Sequence, residues 1–282
     1  MSSVTPHRSD NDGPQPRLVI ELAHDAFILM LAYLQDGRRV VSGNGDGTVR
    51  VWNLEDGKQE GTSMKHARYT CDLAVTWVGT KIICSDDDGS IKVWDVESHE
   101  IVNQWTHPRS RPRIAISPDD RLIAAGGWRV TFYTMDGRQV NHSIEVNSCV
   151  WSLCFSPNGK KLACGTDNGV RVYDVDSGTL LSESQQYLVD CVLWSRDGSR
   201  LFSASDDKTI RCWNSDTGEQ IGHPWTGHTD IIRSLSLSPD GSILASTSLD
   251  KTVRFWDATT GHPIGHLQHD KQVYAVRFSP SG

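Results

Sequence analysis

Apolar and polar residues alternate in short runs along this chain, and the runs recur in blocks. The clearest block lies between residues 228 and 268. Leu235 and Leu237 alternate with serines over Ile231 to Ser238, the period of two that predicts a half-buried strand. Pro239-Asp240-Gly241 follows as a turn, with proline fixing φ and glycine tolerating the left-handed region. Ile243 to Ser248 predicts a second strand, Asp250-Lys251 a tight turn, and Thr252 to Asp257 a third strand rich in β-branched and aromatic residues. Ile264 to Leu267 begins a fourth. Four short antiparallel strands joined by tight turns make one unit.

That unit returns. Asp250-Lys-Thr-Val-Arg-Phe-Trp256 matches Asp207-Lys-Thr-Ile-Arg-Cys-Trp213, and the same slot holds Asp46 to Trp52 and Asp88 to Trp94. Tyr133 and Tyr173 take the tryptophan position in two further copies. The anchors step along the chain by about 40 residues, the spacing of four-stranded propeller blades. The predicted fold is an all-β β-propeller of four-stranded antiparallel blades, with six complete repeats and an incomplete seventh. Such a fold is a platform and brings no chemistry by itself.

The motifs resemble the WD-repeat β-propeller family over Leu18 to Gly282. SPNG stands at Ser156 to Gly159, SPDG at Ser238 to Gly241 and SPDD at Ser117 to Asp120, with Trp-Asp at Trp94-Asp95 and Trp256-Asp257. The resemblance implies a buried hydrogen-bond network of Asp, His, Ser or Thr, and Trp in each blade. Blade one would use His24, Ser42, Asp46 and Trp52, and blade six His228, Ser246, Asp250 and Trp256. Blade two offers His66, Asp88 and Trp94, with Cys84 in the serine slot. Blade five offers Ser203, Asp207 and Trp213 without a histidine. Blades three and four are expected to depend on apolar packing alone. His24, His66, His107, His228 and His269 each lie nine residues before the end of a predicted strand. This periodicity explains them as blade residues and not as metal ligands.

The seventh repeat begins with His269 and a predicted strand at Val273 to Phe278, then reaches Ser279-Pro280-Ser281-Gly282. In the family, an N-terminal strand supplies the outer strand of the last blade, and Arg17 to Leu22 fits that place. The closing blade is therefore expected to lack its middle strands, as in a truncated chain. Residues 1–16, polar and rich in Ser, Asp and Pro, are expected to be a disordered tail ahead of a propeller domain over 17–282.

Bulk properties narrow the function. A net charge of −7 argues against a nucleic-acid surface, which needs clustered Lys and Arg. Arg109, Arg111 and Arg113 form one local basic run, read as a solvated loop. Ala26 to Leu34, an apolar stretch broken by one hydroxyl, is far shorter than the roughly 20 residues of a membrane helix. Seven cysteines without a CxxC pair, and no secretory signal, predict an intracellular protein, cytoplasmic or nuclear. No catalytic, cofactor or metal signature is found, so no catalytic residue, cofactor or metal is expected.

The family resemblance also implies where partners bind. They meet the top face, the end at which the innermost strands begin, through positions three and five after the histidine slot and through the residue before the Asp turn. Carried over, the expected partner-binding residues are Phe27, Leu29, Tyr69, Cys71, Asp87, Trp151, Asp190, Asp206, Arg233 and Tyr274. Aromatic rings and Arg are enriched at interface hot spots, and the three aspartates would favour a basic group in a bound peptide. The resulting reading is a non-catalytic scaffold for a protein or peptide partner, without nucleic acid or membrane. The alternative is a propeller enzyme or small-molecule receptor using the central funnel.

Overall fold

The computed structural model describes residues 27–108 and 111–282. The expected tail, the strand expected at Arg17 to Leu22, His24 and Arg109 all lie outside the described residues. The described chain folds into six four-stranded antiparallel sheets, each made of consecutive strands. The fold is an all-β propeller with six blades. No helix among the described residues is long and apolar enough to cross a membrane.

Blade six shows how the alternation becomes structure. Its strands run Ile232–Leu237, Ile243–Ser248, Thr252–Asp257 and Pro263–Gln268. Leu244 pairs with Leu237 on one side and Trp256 on the other, so one apolar row crosses three strands. The inner strands of blades one to five are Ile28–Tyr33, Thr70–Val75, Arg113–Ile116, Val150–Phe155 and Val189–Trp194. The apolar cores sit between neighbouring sheets. Val41, Val49 and Val51 of blade one meet Leu73, Ile82 and Trp94 of blade two, and Phe202 and Ile210 of blade five meet Leu235, Leu244 and Trp256 of blade six. A blade therefore has no finished core without its neighbour.

Turns on the bottom face link the blades in sequence. Gly159 packs on Pro118 of the preceding blade, and Gly198 on Pro157. Val273 to Phe278, expected as a strand, forms none in the structure. It lies instead against the inner strand of blade six, with the Phe278 amide donating to Ser236 Oγ at 2.9 Å and Arg277 Nη1 to Ser234 Oγ at 3.0 Å. The turn that follows continues the bottom-face pattern, because Gly282 meets Pro239 while Pro280 meets Gly37 of blade one. Residues 273–282 thus sit between the inner edges of blades six and one.

Blade three departs from this pattern in an informative way. Asp120 stands where the other turns have glycine and takes φ 57° itself. Its carboxylate accepts hydrogen bonds from the amides of Trp77 at 2.6 Å and Val78 at 2.9 Å. A proline at position 77 would have no N–H to donate, so the carboxylate suits this turn and would be wasted above Pro118 or Pro157.

Within the blades, the polar networks differ from one another. In blade six, Ser246 Oγ lies 2.8 Å from Trp256 Nε1 and 2.7 Å from His228 Nε2, and His228 Nδ1 is 2.8 Å from Asp250. Burial opposes ionisation of Asp250, yet hydrogen bonds from Thr252, the Thr229 amide and His228 bring its carboxyl down to about 2. Blade one keeps the Trp52-to-Ser42 bond at 2.9 Å, and Asp46 caps its turn through Thr48.

In blade two the expected Asp88 does not join the network. Asp86 does: it meets His66 Nδ1 at 3.3 Å and accepts the amides of Asp88 and Ser90, while Asp88 is exposed beside Arg68 at 2.8 Å. The reason is geometric, because the carboxylate two residues earlier is the one that points inward, at 2% exposure. With Cys84 in the serine slot, Trp94 Nε1 and His66 Nε2 are buried without a hydrogen-bond partner. Blade five has no histidine, but Gln186 fills the role. Its amide oxygen accepts from Ser203, which receives Trp213 Nε1 at 2.8 Å, and its nitrogen reaches Asp207 at 3.4 Å. Blade four is not purely apolar either, since Asp167 accepts Trp151 Nε1 at 2.7 Å.

Candidate functional site

A repeated backbone irregularity builds the top face. In five blades the ladder between the first two strands slips at the second residue of the inner strand, skipping Leu29, Cys71, Trp151, Asp190 and Arg233. A β-bulge leaves its extra residue unpaired, bends the strand and re-aims the side chain. In these five blades this device takes the second residue of the inner strand out of the ladder. Blade three has a shorter inner strand with no slip, and Arg113 opens it.

A second device joins the two other sets of positions. The amide before each Asp turn bonds the carbonyl just ahead of the inner strand: Gly45 to Phe27 at 2.9 Å, Asp87 to Tyr69 at 3.3 Å and Asp206 to Leu188 at 3.1 Å. The rim residue and the pre-turn residue of a blade are therefore neighbours. Gly45 leaves room there, with Phe27, Leu29 and Tyr69 all adjacent to its Cα.

The side chains divide into free and committed groups. Phe27 is 73% exposed and Tyr69 43%, and both are rings held at the edge of ordered strands. Trp128, on the turn between the second and third strands of blade three, and Tyr187, just before the inner strand of blade five, are also exposed large rings on this face. Tyr187 is not among the expected positions, which were counted from the histidine slot; the signal available was an aromatic directly after the Gln185-Gln186 pair.

Trp151 is half-buried, and its indole N–H is taken by Asp167, which also accepts the Cys149 amide at 3.2 Å. It braces blade four and does not stand free on the rim. Cys71 is buried, and burial pushes its thiol up to about 11 despite the pull of nearby Arg113. Leu29 and Tyr274 are half-buried, and the Tyr274 hydroxyl donates to Gln272 at 2.8 Å.

Charge on this face is paired across blades. Arg113 Nη1 donates to the Cys71 carbonyl oxygen at 2.8 Å, and Arg233 Nη1 lies 2.7 Å from Asp190 Oδ2. Asp190 is pushed up to about 6 by burial, with Arg233 pulling down and Asp206 pushing up. Asp87 and Asp206 each keep one buried carboxyl oxygen without a hydrogen-bond partner. No group of three or more His, Cys, Asp or Glu among the described residues could hold a metal ion. A shallow cavity of about 350 Å³ lies between blades four and five, bordered by Asp167, Gln186, Tyr187 and Arg211.

The profile of the family described as WD domain, G-beta repeat, matches residues 16–53, 58–95, 138–174, 178–214 and 218–257. The chain belongs to that family. Among similar WD-repeat proteins is the small ribosomal subunit protein RACK1y of Oryza sativa subsp. japonica, 27% identical over 186 residues, covering 62% of this chain and 43% of that protein. Another is the intraflagellar transport protein 122 homolog of Danio rerio, 34% identical over 103 residues, covering 36% of this chain and 8% of that protein. The chain thus spans less than half the length of these relatives. Among solved structures, the β-propeller domain of Myceliophteria thermophila Cps50 (Swd1) superposes with a TM-score of 0.80 at 14% identity, over 92% of this chain and 93% of that one. That likeness is one of fold.

Proposed function

We propose that this WD-repeat chain is a non-catalytic scaffold that holds a protein or peptide partner on its top face. The observation that carries the reading is the set of exposed rings Phe27, Tyr69, Trp128 and Tyr187, contributed by four blades to one end of the sheets. Soluble folds bury most large aromatics, and rigidly held exposed rings are the residue type that dominates binding energy at interfaces. Amide ties hold the backbone beneath Phe27 and Tyr69, so little backbone entropy remains to be lost there on binding. Half-buried Asp87 and Asp206, with unpaired oxygens, favour N–H donors from the partner, such as a lysine or arginine side chain. All seven cysteines are free, as suits a reducing intracellular compartment.

The test is partner capture from the native cell with three forms of the protein. Tyr69→Ala with Tyr187→Ala removes rings from the top face, and Trp77→Ala removes an exposed ring from the bottom face. Partners that disappear with the first variant and persist with the second support the reading. Loss confined to Trp77→Ala overturns it.

A further inference from the structure

We propose that the face of blade six turned toward blade one is a docking site for an antiparallel β-hairpin of a partner protein, which pairs with Val273 to Phe278 and covers Phe255 and Leu267. This surface is separate from the top face, and its reading does not depend on that one.

Each contact between consecutive blades holds a buried apolar cluster: one with two, two with three, three with four, four with five, and five with six. No such cluster among the described residues joins blade six to blade one. Blade five shows the kind of wall that a neighbour covers. Its row Leu193, Phe202, Cys212 and Ile221 crosses four strands and packs on blade six. The same row in blade six runs Ser236, Ala245, Phe255 and Gly265. Beside it Ser234, Thr247, Val253 and Leu267 form a second row.

At the inner end of these rows the Phe278 amide meets Ser236 and Arg277 meets Ser234. Further out the wall is apolar and only partly covered. Phe255 and Leu267 are half-buried, whereas Val51, Val93, Phe132 and Cys212, at the place of Phe255 in other blades, are exposed by 3% or less. A side chain at Gly265 would meet nothing within 4 Å.

The form of the occupant follows from what is left unpaired. Val273 to Phe278 joins no ladder, and an unpaired edge beside an apolar wall takes up an extended chain through main-chain hydrogen bonds. A lone strand there would lie over the second strand of blade six. Phe255 and Leu267 belong to the third and fourth strands, so covering them takes a hairpin. A second copy has none to offer, because every described strand already belongs to one of the six sheets. The first incoming strand should also carry a hydroxyl. His269 donates its amide to the Lys251 carbonyl oxygen at 2.9 Å, and its buried Nε2 has no partner. In blade six the same atom of His228 meets Ser246, on the second strand, at 2.7 Å.

The experiment titrates the full chain with a synthetic peptide of its own residues 242–258, the second and third strands of blade six with their turn. The peptide should bind one to one and raise hydrogen-exchange protection at Val273 to Phe278 by roughly tenfold or more. Phe255→Glu in the chain should weaken binding by about tenfold, because it sets a charge against apolar side chains. Ile264→Glu, on the outer strand but off both rows, should leave binding unchanged. Ser246→Ala in the peptide and His269→Ala in the chain should each weaken binding about fivefold, and together no further. No binding, binding without protection at Val273 to Phe278, or binding indifferent to Phe255→Glu overturns the site. Protection of Val273 to Phe278 in the chain alone overturns it too. With protection at 17–22 it means that the N-terminal segment lies there, and with a concentration-dependent dimer that a second copy does.

Discussion

His99 lays its imidazole over Gly61 of the preceding blade, with Nδ1 2.7 Å from the Thr62 oxygen. Elsewhere the relationship is reversed: Gly137 lies over Trp105 and Gly261 over Trp225, with the glycine on the turn and the ring on the outer strand. One bulky and one small residue fill the same space in either order. His99 takes the turn's left-handed backbone, at φ 58°, that glycine holds in the other blades.

Gly61→Ala should therefore destabilise the fold by roughly 1–3 kcal/mol, from collision with His99 and a strained φ of its own. Adding His99→Gly should recover a large part of that loss, with a coupling of about 1 kcal/mol or more in a denaturant double-mutant cycle. Strict additivity would refute the size exchange.

Cys84→Ser should stabilise blade two. A hydroxyl there would bridge Trp94 Nε1 and His66 Nε2, as Ser246 does at 2.8 and 2.7 Å in blade six. The expected gain is roughly 1–2 kcal/mol in urea melts, and Ser246→Cys should lose a similar amount. A neutral or destabilising Cys84→Ser would mean that these two groups already have partners.

Gln186→Leu should cost roughly 1–3 kcal/mol, because it strips the amide from Ser203 and Asp207 together. Gln186→His should cost distinctly less, since an imidazole links the same two groups in blade six. Equal losses in chemical denaturation would show that Gln186 acts only by filling space.

At Asp120, alanine and glycine separate strain from bonding. Both remove the bonds to the Trp77 and Val78 amides, but only alanine keeps a side chain at φ 57°. Asp120→Ala should be less stable than Asp120→Gly by about 1 kcal/mol in thermal melts. The opposite order would show that the left-handed backbone at position 120 carries no strain for a side chain.

Stability should also fall in acid for a traceable reason. Burial holds the His228 pKa below its ordinary value even though Asp250 pulls it up. A histidine kept neutral by folding contributes stability above its unfolded pKa of about 6.5, and that stability is lost as pH falls below it. Asp250, at about 2, contributes above roughly pH 4 and loses it between 4 and 2. Asp190 works in the opposite direction, since its raised pKa costs stability as pH rises toward 6. The difference in melting temperature between wild type and His228→Gln should therefore narrow as pH drops from 7 to 5. A constant difference would show that folding leaves the His228 pKa where it stands in the unfolded chain.

The sequence by itself determined the repeat, the strands and the turns, because a period of two and a recurrence of Asp turns and aromatic anchors are local and survive without partners. It also placed Ser42 with Trp52, Ser203 with Trp213 and Ser246 with Trp256, residues paired across one hairpin at a fixed spacing of ten. Tertiary structure decided the rest. Of three consecutive acids in blade two, only the inward direction of Asp86 selects it over Asp88, and direction within a turn depends on which amides need an acceptor. Gln186 can replace a histidine because two groups happen to lie at the span of one amide. The pairings at the funnel, Asp190 with Arg233 and Arg113 with the Cys71 carbonyl, join residues 43 and 42 positions apart. Periodicity puts each of these in its slot, but only the packing of adjacent blades determines which slots touch.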